Sequence, residues 1–590
     1  MYKCLSGIAI GVLVALSHAQ GQETPAFSLA DAFEGSDIDS SLFVSKAGGV
    51  TISADDVLDG SKSLFMVDSS NIKSVDFNPA LADELINISF KVKVKTAHDS
   101  SVDSNFLGAD EIFHVNVGEV DRIPSNNPYS SKFSILKGKN QNKIRFVGYD
   151  RNVNSFTDTA MDSTGATEFP GDAIYDVRLS YSRFRMYVDI NNGEIKTSYY
   201  SGREGIKNFQ LNSRLGTVVV IDDLKIYGGK IEPREISKTF ERYIGDGLFT
   251  GYVEVDRNKD GVSFSRMTDS QRILYGTSRG CAYQSGVWFD AYTNSKTFSM
   301  DYTVHENDYA SGWPTQFDVF INGVQQAQPV VTTKKLHSYS LKYSVPQETP
   351  VNYRLTVMFP SGVATAITDV GLDAGSVAFP VVKSKKILML GDSITQGSQC
   401  ESPAAVYANQ VAMKYNMQLL NQAVSGSSFS SNRVVSGDYR GFVPDVVILS
   451  WGTNNYAGGG GNASHILTNL GVEVPKNIEA IKLKFSNAKI IAITPIWRSD
   501  ESGINFSLKD FIGKLKEVYS YSPEIRVLDG YNYVPHEKNY YNGGDLKLHP
   551  NSLGHIEYGK SLLIDLKAIE DLSMPDAVDW VSNANNAVEK

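Results

Sequence analysis

The hydrophobic and polar positions divide the chain into two textures. From residue 24 to about 380, short stretches alternate apolar and polar side chains, as in Ile88-Ser-Phe-Lys-Val-Lys-Val and Gly216-Thr-Val-Val-Val-Ile, between clusters of Asn, Asp, Gly and Ser. A period of two without long helical periods predicts all-β structure. The pattern breaks once, at the polar, mixed-charge segment 231–247, which reads as a linker with one short helix. The expectation is therefore a β-sandwich over 24–230 and a second, smaller, jelly-roll-like sandwich over 248–380, in which Asn322-Gly323 makes a hairpin turn of the favoured kind. After Ser384, runs such as "KKILML", "DVVILSW" and "AKIIAITPI" alternate with helical patterns such as "AAVYANQVAMKY" and "LKDFIGKLKEVY". That alternation predicts an α/β domain with a parallel sheet over 385–570, followed by a tail over 571–590.

The amino terminus changes the picture of where the chain works. Lys3, the apolar stretch from Ile8 to Leu16 and the small residues Ser17 and Ala19 read as an export signal, residues 1–19, cut after Ala19. No later stretch approaches the ~20 apolar residues of a membrane span. A secreted protein, extracellular or periplasmic and without membrane insertion, is expected. Its formal net charge of -10 argues against a nucleic-acid partner. After cleavage only Cys281 and Cys400 remain. A bridge between them would close a long loop, worth about 4 to 5 kcal/mol in the chain-entropy model; two separate buried thiols is the other reading.

The chemistry concentrates in "KKILMLGDSITQG", residues 385–397. Ile387 to Leu390 form an apolar run suited to a strand buried on both faces, and it stops at Gly391-Asp392-Ser393. Open α/β sheets place their sites at that carboxyl edge, and the helix that follows offers free N–H groups to an anion. Two other motifs lack their context. Asp256, Asn258, Asp260 and Gly261 begin like a calcium loop, but Met267 stands where a bidentate Glu is needed, so a hairpin turn is expected. "GTSRG", Gly276 to Gly280, matches a nucleophile elbow around Ser278 without the flanking strand and helix. No His pair has the spacing of a zinc helix, and neither metal nor cofactor is expected. Gly458 to Gly461 lack the Lys-Ser/Thr ending of a phosphate loop and read as a mobile rim.

Four blocks, "GDSITQG" with Ser393, "AVSGSS" with Gly426, "WGTNN" with Asn454 and "DLKLHPNSLGH" with Asp545 and His549, resemble those of the SGNH, or GDSL-type, hydrolases. The resemblance implies a flavodoxin-like α/β/α domain with Ser393 as nucleophile, His549 as general base and Asp545 as its orienting carboxylate. It also implies an oxyanion hole made by the Ser393 and Gly426 amides and the Asn454 side chain. An unassisted serine hydroxyl is a poor nucleophile, so an imidazole and aimed donors are the groups an ester hydrolase needs. "DGSKSLFMVDSS" and "IDDLKIYGG" (Ile221 to Gly229) resemble strands of concanavalin-like, laminin-G-like sandwiches, which often bind glycans. The second sandwich resembles the one preceding the catalytic domain of several secreted carbohydrate esterases.

Two positions depart from the family pattern. Asn455 stands where the third block usually ends in Asp, and Asp545 and His549 are one residue further apart than Asp-x-x-His. Gly543 and Gly544 would let a bulge or a helical turn absorb that residue; otherwise Ser393 and His549 act as a dyad. His536 and His555 are expected to be structural or to touch substrate at most. The function expected is hydrolysis of ester groups, foremost O-acetyl, on a polysaccharide or oligosaccharide, with the first sandwich read either as a glycan-binding domain or as a spacer with no ligand. The alternatives are an esterase or lipase on small lipidic or aryl esters, and a non-catalytic glycan-binding or adhesion protein.

Overall fold

The computed structural model describes residues 234–572, apart from 259, 269, 273–280, 282, 305–314, 327–337, 430–433, 435–436, 459–462, 500–505, 543–544 and 570–571, together with thirteen strands between Ser28 and Gly229. The export signal, Ser278 and the tail beyond Leu572 lie outside the described residues.

The thirteen amino-terminal strands hydrogen-bond as one antiparallel sheet. The two stretches singled out in the sequence are neighbours in it: Val218–Gly229 lies between Ser63–Ser74 and Leu85–Thr96, with Val219 opposite Met66 and Ile221 opposite Leu64. Alternation works as read, since Ile88, Phe90 and Val92 are buried while the residues between them are half-exposed.

Residues 234–380 form two antiparallel sheets around one core. One sheet contains Trp288–Thr293, Tyr353–Met358 and Asp318–Ile321, the other Gly261–Ser265, Thr365–Leu372 and Thr297–Val304. Phe249, Phe264, Phe289, Phe298 and Phe359 fill the space between them. The segment read as a linker contains the expected helix, Lys238–Gly245, capped by the Ser237 hydroxyl, which accepts from Phe240 N. Its Phe240 and Tyr243 sit in the same core as the two sheets. The strands on either side of "KD" in "DRNKDG" pair antiparallel, with Asn258 opposite Gly261, as a hairpin does. Asn322 and Gly323 both take positive φ, 49° and 77°, as a two-residue hairpin turn requires.

A buried charge cluster sits at the seam with the α/β domain. Arg354 donates to both oxygens of Asp290, at 2.8 and 2.7 Å, Thr356 donates to one of them, and the Lys383 ammonium reaches the other. Burial works to raise the Asp290 carboxyl, but the two cations outweigh it and hold it well below the usual carboxylate range.

Among the described residues the α/β domain has five parallel strands, β1 (Lys386–Gly391), β2 (Gln418–Asn421), β3 (Val446–Ser450), β4 (Lys489–Ile493) and β5 (Arg526–Leu528), in the order β2-β1-β3-β4-β5. Along β1 the side chains alternate between two cores. Ile387 and Met389 pack with α2 (Tyr407–Lys414) and α6 (Ser552–Lys567), Leu388 and Leu390 with α4 (Ala463–Lys484) and α5 (Leu508–Ser520). Burial on both faces explains the unbroken apolar run. Two further α-helices among the described residues, α1 (Ser393–Gln396) and α3 (Thr453–Gly458), follow β1 and β3 at the carboxyl edge. A short antiparallel pair, β6 (Tyr541–Asn542) and β7 (Asp545–Pro550), completes the domain.

Cys281 and Cys400 are both buried, and no disulfide bridge joins them. They belong to different apolar clusters: Cys281 packs with Met267 and Val424, Cys400 in the core beneath α2. Burial pushes the Cys400 thiol up to about 12.

Candidate active site

The strand β1 ends at Gly391, and the next two residues turn the chain into α1. Asp392 is its N-cap, extended at φ -111°, with Oδ1 accepting from Ile394 N at 3.0 Å. This places Ser393 on the first turn, above the carboxyl edge of the sheet, as the abrupt end of the apolar run predicts. Ser393 Oγ lies 2.8 Å from His549 Nε2. The two residues are 156 positions apart, and only the return of the chain through β7 brings them together.

The second block extends β2. Gln422 N and Val424 N donate to Met389 O and Gly391 O, carrying the strand past Asn421. A turn then closes from Ser427 N to Val424 O at 3.0 Å, with Gly426 at φ 74° in the third position, where a left-handed residue is needed. Gly426 is exposed, while Ser427 beneath it is buried and donates its hydroxyl to Gly391 O at 2.7 Å. Ser425 N donates to Gln396 Oε1 at 2.8 Å, tying this loop to α1.

The third block reaches over from β3. Asn454 Nδ2 donates to Ser427 O at 2.8 Å. A carboxamide has two N–H groups, so the bond to Ser427 fixes the plane in which the second points. Asn455 acts as a neutral acceptor, taking Phe429 N at 3.4 Å. Arg498 holds the loop from behind: it donates to Thr453 O at 3.1 Å and lies over the Tyr456 ring.

At the fourth block the extra residue between Asp545 and His549 meets a break in the ladder. Tyr541 pairs with Pro550 and Asn542 with Asp545, so residues 546–549 have no opposite number on β6. The helical turn considered from the sequence does not form. The side chain of Asp545 lies outside the described residues, as do Gly459 to Gly461.

The other histidines separate clearly. His555 is fully buried and stacked on Tyr407, so it touches no substrate. Burial pushes its imidazole down to about 4. His536 is exposed and stacks on Trp497 at 4.9 Å. Burial also pushes the Asp392 carboxyl up to about 6, against the Ile394 N–H bond and the nearby His549. Among the described residues no group of His, Cys, Asp and Glu could hold a metal ion, and no helix is long and apolar enough to cross a membrane.

Sequence reasoning named Ser393, Gly426, Asn454 and His549, and their surroundings come together at one edge. It passed over Gln396 and Ser427, although both lie inside the quoted blocks. It also passed over Arg498, which no local pattern marks.

Compared with known proteins, residues 389–555 match the family model for the GDSL-like Lipase/Acylhydrolase family. No curated protein matches the sequence. Among solved structures, the chain is similar to a salicylyl-acyltransferase, SsfX3, from a tetracycline biosynthetic pathway, at 18% identity over 55% of this chain and 96% of that one, TM-score 0.48. A family two carbohydrate esterase from Clostridium thermocellum, in complex with cellohexaose, aligns at 14% identity over 55% and 100%, TM-score 0.39. An acetyl xylan esterase from the rumen bacterium Butyrivibrio proteoclasticus aligns at 15% over 49% and 91%, TM-score 0.35.

Proposed function

Residues 389–555 form a GDSL-like lipase/acylhydrolase domain, and from that premise we propose that the chain is an exported serine esterase removing acyl groups, foremost O-acetyl, from a polysaccharide or oligosaccharide. The observation that carries the reading is the 2.8 Å approach of Ser393 Oγ to His549 Nε2 at the carboxyl edge of the sheet. His549 Nε2 takes the hydroxyl proton as Ser393 Oγ attacks the ester carbonyl, and the same proton then goes to the departing sugar oxygen. Water, deprotonated by His549, cleaves the acyl-serine and releases acetate. The Ser393 and Gly426 amides and the second Asn454 N–H receive the oxyanion, which is where most of the rate gain arises. Asp545 is the carboxylate that orients His549 in this reading.

A sugar-borne ester fits an edge on which Gly426 and His536 are exposed and Trp497 is half-exposed. Long β regions precede that edge, and their glycan binding is part of the proposal. The test is acetate release from a panel of acetylated polysaccharides by the parent and by Ser393→Ala. Loss of release in a folded Ser393→Ala supports the esterase; activity on p-nitrophenyl acetate alone, with none on any glycan, removes the carbohydrate part.

A further inference from the structure

The second block needs support that the α/β domain does not give it. In the sheet order, β2 is the edge strand, and only its inner side meets β1. Gln422 and Val424 turn their N–H groups inward to Met389 O and Gly391 O. By the alternation of a strand, the carbonyls of Asn421 and Ala423 point outward, where an edge strand has no neighbour. Those two carbonyls are taken by one guanidinium. Arg266, fully buried and carried by the preceding β region, donates from Nη1 to Asn421 O and to Ala423 O, both at 2.6 Å. Its Nε donates to Tyr283 O at 2.7 Å, which fixes the fork to its own region. Arg266 thus stands where another strand would continue the sheet.

The grip is wider than one side chain. Gln422 Nε2 donates to Arg266 O at 2.8 Å, and Gln271 Nε2 to Gln422 Oε1 at 2.7 Å. Ser285 donates to Gln396 O at 2.8 Å, at the end of the helix that carries Ser393. Ala423 is three residues from Gly426, and the closing turn starts at Val424. A shift of the clamped carbonyls therefore moves the Gly426 amide relative to the Ser393 turn.

We infer that Arg266 is a positioning residue for the oxyanion loop, so that the β region preceding the α/β domain is part of the catalytic apparatus and not only a carrier. This rests on the reading of Gly426 as an oxyanion donor. A donor used mainly in the transition state affects kcat more than KM. The full-length chain is assayed on p-nitrophenyl acetate as Arg266→Met, Arg266→Lys and Ser393→Ala, with folding checked by thermal melting. A boronic acid is titrated as a mimic of the tetrahedral intermediate.

Folded Arg266→Met is expected to lose at least about tenfold in kcat with KM within about twofold, to bind the boronic acid correspondingly more weakly, and to regain part of kcat as Arg266→Lys. If Arg266→Met does not fold, Gln271→Leu, which leaves the guanidinium and the Gln422 bond to Arg266 O in place but removes the Gln271 contact to Gln422 Oε1, is expected to lower kcat by about threefold with KM unchanged. An unchanged kcat and boronic-acid affinity in folded Arg266→Met, or in Gln271→Leu where that variant is the one used, overturns the inference. So does a loss that Arg266→Lys does not ease. Undiminished turnover by Ser393→Ala instead overturns the functional reading beneath it.

Discussion

Asn454 is the residue whose geometry makes the sharpest demand. One of its N–H groups is held by Ser427 O, so the side chain is aimed before substrate arrives. Removing a preorganised oxyanion donor costs the transition state and spares the ground state. Asn454→Ala is expected to lower kcat about 100- to 1000-fold with little change in KM; steady-state kinetics on an acetyl ester checks it, and an unchanged kcat would sink the role.

Two buried groups nearby oppose each other in their response to acid. Asp392, raised from 3.8 to about 6, holds a proton in the folded chain that the unfolded chain gives up, so its contribution falls as pH rises from about 4 to 6. His555, lowered from 6.5 to about 4, stays neutral in the folded chain while the unfolded chain takes up a proton, so its contribution falls as pH drops through the same window. At 1.36 kcal/mol per pH unit each amounts to about 3 kcal/mol, and together they nearly cancel. Asp392→Asn keeps an acceptor for Ile394 N but leaves His555 unopposed, so its melting temperature should fall more steeply than the parent's between pH 6.5 and 4. His555→Phe should show the reverse, gaining stability relative to the parent on acidification. Parallel curves for the parent and both variants would refute the assignment.

At the scale of elements, β7 sets how His549 meets Ser393. The ladder break leaves residues 546–549 free of the β6 register, and His549 stands at the end of that stretch. If Asp545 orients the imidazole, Asp545→Asn should reduce kcat/KM at least about tenfold, and less than Ser393→Ala or His549→Ala, because the base itself remains. Equality of Asp545→Asn with the parent would point to a dyad or to another acceptor. The second block shows the same dependence of a site on its element. Gly426 sits on a turn that begins where an edge strand ends, and its placement depends on what closes that edge.

For the whole molecule, the boundary that matters lies ahead of Ser237. Phe240 and Tyr243 are in the core of the two middle sheets, and those sheets share an apolar cluster with the α/β domain through Trp288, Phe320 and Met358. A chain beginning at residue 234 keeps all of this. It is expected to turn over p-nitrophenyl acetate like the parent while losing activity on acetylated polymer, if the amino-terminal sheet binds glycan. A folded truncation with impaired small-ester turnover would show that the sheet shapes the site.

The sequence by itself determined the local features. The apolar run of β1, its stop at Gly391-Asp392-Ser393, the Asn322-Gly323 turn and each of the four blocks taken by itself were legible because each depends on neighbours within a few residues. Tertiary structure alone decided the rest. The approach of Ser393 to His549 spans 156 positions, and the two cysteines stay apart because they enter different cores. Residues 231–247, polar enough to read as a linker, place Phe240 and Tyr243 in a core supplied by strands up to more than a hundred residues away. Arg266 lies in no motif and on no amphipathic face. Its use follows from two outward carbonyls of an edge strand in the next domain, and a backbone group left open at an edge has no signature in the residue that covers it.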